Sequence, residues 1–234
     1  MKRTLVITGA SKGIGLATAT LFQEQGYQIV NISRSLCPLP NATQISGNLS
    51  DINWLAEHAE ALKNSVEGSD SVSIIHCAAA HRHDQLANLD AFDFQQILQT
   101  NLIAPVQLSQ LLLPLMPAGS SLLFLGSTLS EKAVAGACSY VTSKHAIIGM
   151  MRSSCQDLAG SGVHTACICP GFTDTEMLRE HVGHSDEVLE QISQLVTFKR
   201  LIQPEEIAKT LLFCAENPVI NGSVIHANLG QIEA

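Results

Sequence analysis

Tyr140 and Lys144 stand four residues apart in ACSYVTSKHAIIGM, residues 137–150, in a chain with only two tyrosines. If the segment is helical, that spacing puts both side chains on one face. An ammonium beside a phenol favours the phenolate and lowers its pKa from about 10, which makes a proton donor or acceptor that works near neutral pH. Ser127, in LGST at the end of the apolar run SLLFLGS, is a hydroxyl that can stabilise charge on a reacting oxygen. A second chemical signal is TGASKGIG, residues 8–15, which ends one apolar run and begins a segment of helical period. Glycines at 9, 13 and 15 let the backbone turn sharply and approach a pyrophosphate, while the new helix offers free N–H groups to its negative charge. The spacing is GxxxGxG, and its place between strand and helix points to dinucleotide binding.

The type of dinucleotide follows from a missing acid. Enzymes that take NAD place a carboxylate near the end of the second strand to hold the ribose hydroxyls, whereas a basic group there holds a 2′-phosphate. Between Glu24 and Asp51 the sequence contains no Asp or Glu. Ser33 and Arg34 follow QIVNI instead, with Lys12 in the glycine loop, so NADP(H) is expected in preference to NAD(H).

The elements that must position these groups alternate. Apolar runs of strand length (TLVITG, QIVNIS, SVSIIHCA, SLLFLGS, GVHTACICPG, GSVIHA) are separated by segments of helical period, among them 51–66, 91–116, the Tyr140 segment and 204–217. Continuous apolar strands flanked by helices predict an α/β chain, a single-domain Rossmann-type doubly wound parallel sheet with helices on both faces. Ligands of such sheets lie at the carboxyl ends of the strands, where the strand order reverses. No repeat or linker-like tract divides residues 1–234, and the least regular stretch, about 172–200, reads as a mobile flap over the substrate.

TGASKGIG, NLIAP from Asn101, Ser127, Tyr140-x-x-x-Lys144 and PGFTDTEM from Pro170 occur in the order and approximate spacing of the short-chain dehydrogenase/reductase family, which the chain resembles over essentially its whole length. The resemblance implies that Tyr140 is the general acid and base, that Ser127 hydrogen-bonds the reacting oxygen, and that Lys144 tunes Tyr140 and holds the nicotinamide ribose. It implies that Asn101, in the long central helix, holds a water in a proton relay through its backbone. Gly9, Ser11, Lys12, Gly13, Ile14 and Gly15 match cofactor-binding positions, as do Ser33, Arg34, Asn48 and Leu49. Cys77, Ala78 and Ala79 belong to the same set. Pro170 and Gly171 would close over the nicotinamide, with Thr173 and Thr175 near its carboxamide. The chain departs from the family where His76-Cys77-Ala78-Ala79 replaces Asn-Asn-Ala-Gly, where Asn48 replaces an aspartate, and at Asn228-Leu229-Gly230.

Other chemistry is disfavoured. His81-Arg82-His83 and His181-x-x-His184 lack the Cys or carboxylate partners of a metal site, so no metal is expected and these read as loop histidines, with His81 or His83 near the substrate entrance. The GxSxG pattern of a serine hydrolase is absent. A net charge of −8 argues against nucleic acid and anionic membranes as partners. Seven cysteines without a CxxC pair, with no stretch of transmembrane length, suit a reducing, cytoplasmic setting. LIAPVQLSQLLLPLM is apolar over more than one stripe, which predicts burial against a second copy, and the family resemblance implies a homodimer or homotetramer. The expectation is an NADPH-dependent reductase of a small ketone or aldehyde, reversible toward the alcohol. A 3-oxoacyl thioester reductase and a non-catalytic NADPH-sensing or scaffold protein are the alternatives.

Overall fold

The computed structural model describes residues 1–232. Seven strands form one parallel sheet: β1 (Arg3–Thr8), β2 (Tyr27–Ser33), β3 (Thr43–Ser46), β4 (Ser71–His76), β5 (Ser121–Leu125), β6 (His164–Pro170) and β7 (Ser223–Ala227). Their order is β3-β2-β1-β4-β5-β6-β7, so the chain winds outward twice from β1 and reverses between β1 and β4. Alternate residues of each strand enter opposite cores, as a pleat requires. Val6, Ile32, Ile74 and Phe124 pack on one face with α2 (Ala59–Val66), α4 (Ala104–Leu112) and α5 (Cys138–Asp157). Leu5, Ile7, Ile75 and Leu123 pack on the other with α1 (Gly13–Glu24) and α8 (Pro204–Glu216). Burial on both faces is why these strands are written without polar alternation.

Four segments differ from the sequence expectation. The short edge strand β3, TQIS, was not foreseen: two of its four residues are exposed and it carries little apolar signal. The helical period of 51–66 yields a helix only from Ala59. Residues 51–58 form successive turns with i→i+3 hydrogen bonds, Trp54 to Asp51, Ala56 to Asn53 and His58 to Leu55. A tertiary anchor holds that arrangement, because Trp54 is buried and its indole N–H donates to Gln107 Oε1 at 2.9 Å.

The long stretch 91–116 is also broken. It runs as α3 (Ala91–Leu98), a π-helical turn at Gln99–Ile103, α4, and a 3-10 turn at Leu113–Leu115. Pro105 accounts for the break: it has no N–H to give the carbonyl of Asn101, four residues earlier, so the regular ladder fails there and a wider turn takes over. The 172–200 region, expected to be irregular, contains α6 (Glu176–His181) and α7 (Asp186–Ser193), N-capped by the hydroxyls of Thr175 and Ser185.

Candidate active site

The carboxyl ends of the strands open into a cleft of about 1240 Å³ that includes the β1/β4 reversal point. Its first wall is built by α5 and the end of β5. Lys144 lies on the buried face of α5, 3% exposed, and its Nζ donates to the Leu125 carbonyl at 2.7 Å. Nζ sits 5.5 Å from the centroid of the Tyr140 ring, so the two side chains do share the face that their spacing dictates. An ammonium has three N–H groups, and Leu125 takes one; the other two have no partner among the described residues, and the side chain lines the cleft.

Ser127 caps the 3-10 turn Thr128–Ser130. Its Oγ accepts from Leu129 N at 3.1 Å, while its own N–H donates to Ser130 Oγ at 3.0 Å. The hydroxyl oxygen is held from behind and its O–H remains free to donate into the cleft. Behind it, the pair Cys167 and Cys169 packs beneath Gly126, where any Cβ would come within 2.7 Å of Cys169 Sγ.

Asn101 is not part of the cleft wall. It is 2% exposed, and its amide clamps the loop after β4: Oδ1 accepts from Ala80 N at 2.7 Å and Nδ2 donates to Ala80 O at 2.9 Å and Ser143 Oγ at 3.0 Å. The side chain therefore ties the π turn to both that loop and α5, one turn from Tyr140.

The second half of the cleft is the glycine loop. Gly9 has φ +82°, and a Cβ there would lie 3.0 Å from Ala78 Cα. At Gly15 a Cβ would fall 2.2 Å from the Gly9 carbonyl oxygen, so only glycine lets the turn close. No side chain caps the start of α1 and its first turn carries no acid, which leaves its N–H groups facing an anion site beside Ser11, Gly13 and Ile14. The uncapped helix start and the cradle that a methyl group would fill fit a bound pyrophosphate.

The cations near this loop are placed unequally. Arg34 is exposed, lines the cleft and makes no ion pair among the described residues. Lys12 is engaged by the flap: Nζ lies 2.5 Å from Glu176 Oε2 and 3.8 Å from Glu180 Oε1 of α6. The hydrogen bond that Lys12 donates to Glu176 holds its pKa above the usual value, so this cation stays charged. Ser33 also lines the cleft, but its hydroxyl accepts from Asn31 Nδ2 at 2.7 Å and donates to Ser35 O at 2.6 Å, which leaves it a structural post.

The remaining expected positions follow the rim. Asn48 lies at the cleft with Oδ1 accepting from Ser50 N and Oγ, and Leu49 is mostly absorbed into the core. Cys77, Ala78 and Ala79 line the floor, and burial pushes the Cys77 thiol up to about 12, so it is inert at neutral pH. Pro170, Gly171 and Thr173 close the side nearest α6; the Thr173 hydroxyl donates to Gly171 O at 3.1 Å. Thr175, the cap of α6, sits against the glycine loop: a Cβ on Gly13 would be 3.4 Å from its Cγ2.

Three positioning residues escaped the sequence reading. Asn31 is fully buried at the end of β2, and its Oδ1 accepts from Ala10 N at 2.8 Å, tying the glycine loop to the sheet. A lone amide inside the apolar run QIVNIS was the available signal. Thr8 Oγ1 accepts from both Cys77 N and Ala78 N at 3.0 Å, bridging the two loops of the reversal point. Asp84 accepts from Ser139 N at 2.9 Å and from Ser139 Oγ, fixing the start of α5 one residue before Tyr140. Nothing in the pattern HRHDQ marks Asp84 for that task.

Among the described residues no group of three or more His, Cys, Asp or Glu side chains is arranged to hold a metal ion. None of the described helices is long and apolar enough to cross a membrane.

The profile of the family described as enoyl-(acyl carrier protein) reductase matches residues 9–231. Carbonyl reductase family member 4 of Xenopus laevis is 27% identical, with 96% of each chain covered. The 3-oxoacyl-[acyl-carrier-protein] reductase FabG of Vibrio cholerae is 26% identical over 98% of this chain and 97% of its own. Among solved structures, a short chain dehydrogenase family protein from Francisella tularensis superposes with a TM-score of 0.89 at 25% identity, covering 98% of both chains.

Proposed function

The chain belongs to the short-chain dehydrogenase/reductase family of oxidoreductases, and from that premise we propose that it reduces the carbonyl group of a small ketone or aldehyde with NADPH, the reverse reaction being oxidation of the alcohol. The observation that carries this reading is the convergence of a free Ser127 hydroxyl, the Tyr140 phenol and the buried Lys144 ammonium on one wall of the cleft, opposite the uncapped start of α1. NADP(H), when bound, supplies or takes up the hydride.

The protein's own groups do the rest. Tyr140 gives its proton to the carbonyl oxygen as negative charge develops, or removes it from the alcohol. Ser127 donates to the same oxygen, and because its Oγ is already fixed by Leu129 N, little reorganisation accompanies that contact. Lys144 favours the phenolate and gives its remaining N–H groups to ribose hydroxyls. Asn101 holds the loop and helix around the proton path, and Pro105 denies its backbone carbonyl the α-helical donor four residues on, which favours a relay water there.

Preference for NADP(H) rests on Arg34 standing without a protein partner, on Lys12 at the same rim, and on the absence of an acid after β2. The carbonyl reductase and 3-oxoacyl reductase relatives favour a carbonyl substrate, and a thioester is the second reading. A homo-oligomer is proposed from the apolar outer face of the α4 region, where Ile103 is 38% and Val106 46% exposed; a monomeric mass by light scattering at micromolar concentration refutes it.

The test follows NADPH absorbance with ketones, aldehydes, 3-oxoacyl thioesters and a 2-enoyl thioester, comparing wild type with Tyr140→Phe. Loss of carbonyl turnover by about 10²-fold or more in the variant, with NADPH affinity retained, is expected. Reduction of the enoyl compound alone overturns the carbonyl reading, as does full activity of Tyr140→Phe.

A further inference from the structure

Two imidazoles stand beside Tyr140 with no part in the reaction as derived above. His81, from the loop after β4, meets the Tyr140 ring edge to face, with centroids 4.9 Å apart and planes at 64°. His181, the last residue of α6, meets His81 in the same manner at 4.6 Å and 85°. One ring comes from the loop after β4 and the other from the segment that covers the cleft, and both line it. Neither makes a hydrogen bond among the described residues; His81 is half-buried and His181 exposed.

This polar corner faces apolar side chains, Phe92, Val134, Leu178, Val188 and Ile192, around the same cavity. Such a pocket orients its ligand through its few polar groups. The nearest loop charges are engaged elsewhere. Arg82 is held by Asp93 at 2.5 Å, and the Asp84 carboxylate is committed to Ser139. Burial, and after it the neighbouring His181, draws the His81 pKa below the ordinary histidine value, so that ring is neutral near pH 7. A neutral imidazole presents one N–H donor and one lone pair, which suits a carbonyl oxygen better than a carboxylate.

We propose that His81 and His181 form a recognition site for a second, neutral oxygen of the substrate, carried on the carbon next to the reacting carbonyl or on the next but one. The inference rests on the carbonyl reductase reading and names its substrate class: a dicarbonyl compound, either a diketone or a 3-oxoacyl ester or thioester. Ser127 and Tyr140 hold the oxygen being reduced, and the His81 N–H takes the other, which decides which carbonyl is presented. One C=O becomes CH–OH, with hydride from the reduced cofactor and the proton from Tyr140; the second carbonyl is unchanged. Because His181 rides on α6, the site is complete only when that helix lies over the cleft.

The test compares kcat/KM for an aliphatic vicinal diketone, the monoketone of equal chain length, a 3-oxoacyl thioester and a 2-oxo acid, in wild type, His81→Phe and His81→Gln. Wild type should prefer the diketone or the thioester to the monoketone by about tenfold or more, and whichever shows that preference identifies the source of the second oxygen. His81→Phe keeps the ring contact with Tyr140 and should collapse the ratio, mainly through KM; His81→Gln restores an N–H and should recover part of it. A ratio unchanged in His81→Phe, an equal fall for every substrate, or preference for the 2-oxo acid overturns the proposal. Binding is read separately, without cofactor, from the ring C–H resonances of the two histidines on titration with the diketone. They should shift, and fixed resonances overturn the site. Turnover of no carbonyl despite NADPH binding refutes the reductase reading instead, and the resonances then decide the site alone.

Discussion

His76 ends β4, and it makes stability depend on pH in a way that an uncharged amide in its place cannot. It is 3% exposed, stacked on Phe124 at 5.1 Å, with Nε2 2.9 Å from Ser109 Oγ. Burial pushes its pKa down to about 3 from an ordinary 6.5. Between those values an unfolded chain binds a proton that the folded chain refuses, so stability rises with pH across that window. The contribution is fully present above pH 6.5 and is lost as pH falls toward 3. At pH 5 the unfolded group is about 1.5 pH units below its pKa, which at ~1.4 kcal/mol per unit removes about 2 kcal/mol. Urea unfolding followed by circular dichroism at pH 7.5 and pH 5 measures the loss, and His76→Asn is the comparison. The other eight histidines are common to both proteins, so their titration cancels. The variant's absolute stability is not the readout, because a shorter side chain leaves space beside Ser109. Wild type should lose about 2 kcal/mol more than His76→Asn over this interval. Equal losses in the two proteins would refute the claim that His76 is held neutral by burial.

Removing Glu176 takes away the closer of Lys12's two flap partners and leaves only Glu180 at 3.8 Å, so Glu176→Gln should tighten NADPH binding about two- to fivefold with NADH little changed, as read by cofactor fluorescence; equal effects on both cofactors would show that Lys12 does not meet the 2′-phosphate. Asn31→Leu leaves the Ala10 N–H without its buried acceptor and should cost about 1–3 kcal/mol in urea unfolding while weakening cofactor binding; unaltered stability would mean that the loop is held otherwise.

Much of the site could be read before any coordinates, because local spacing decides it. Tyr140 and Lys144 share a face because helices repeat every 3.6 residues, and Gly9 and Gly15 mark a turn that no side chain tolerates. The π turn was also written in NLIAP, since Pro105 denies the Asn101 carbonyl its donor, yet periodicity alone reads through it as one helix. Turn 51–58 was misread for the opposite reason: its helical period is real, and the buried Trp54–Gln107 contact overrides it.

What the sequence by itself determined is therefore the alternating α/β order, the two buried faces of the sheet and the chemical types gathered at the strand ends, all of which follow from periodicity and backbone sterics. What only the tertiary structure decided is which polar groups meet. Asn31 to Ala10, Asp84 to Ser139, Lys12 to Glu176 and His81 to His181 join residues from 21 to 164 positions apart. No local pattern encodes such pairs, because the partners are brought within reach only once the strands have chosen their order in the sheet and the helices have packed on it.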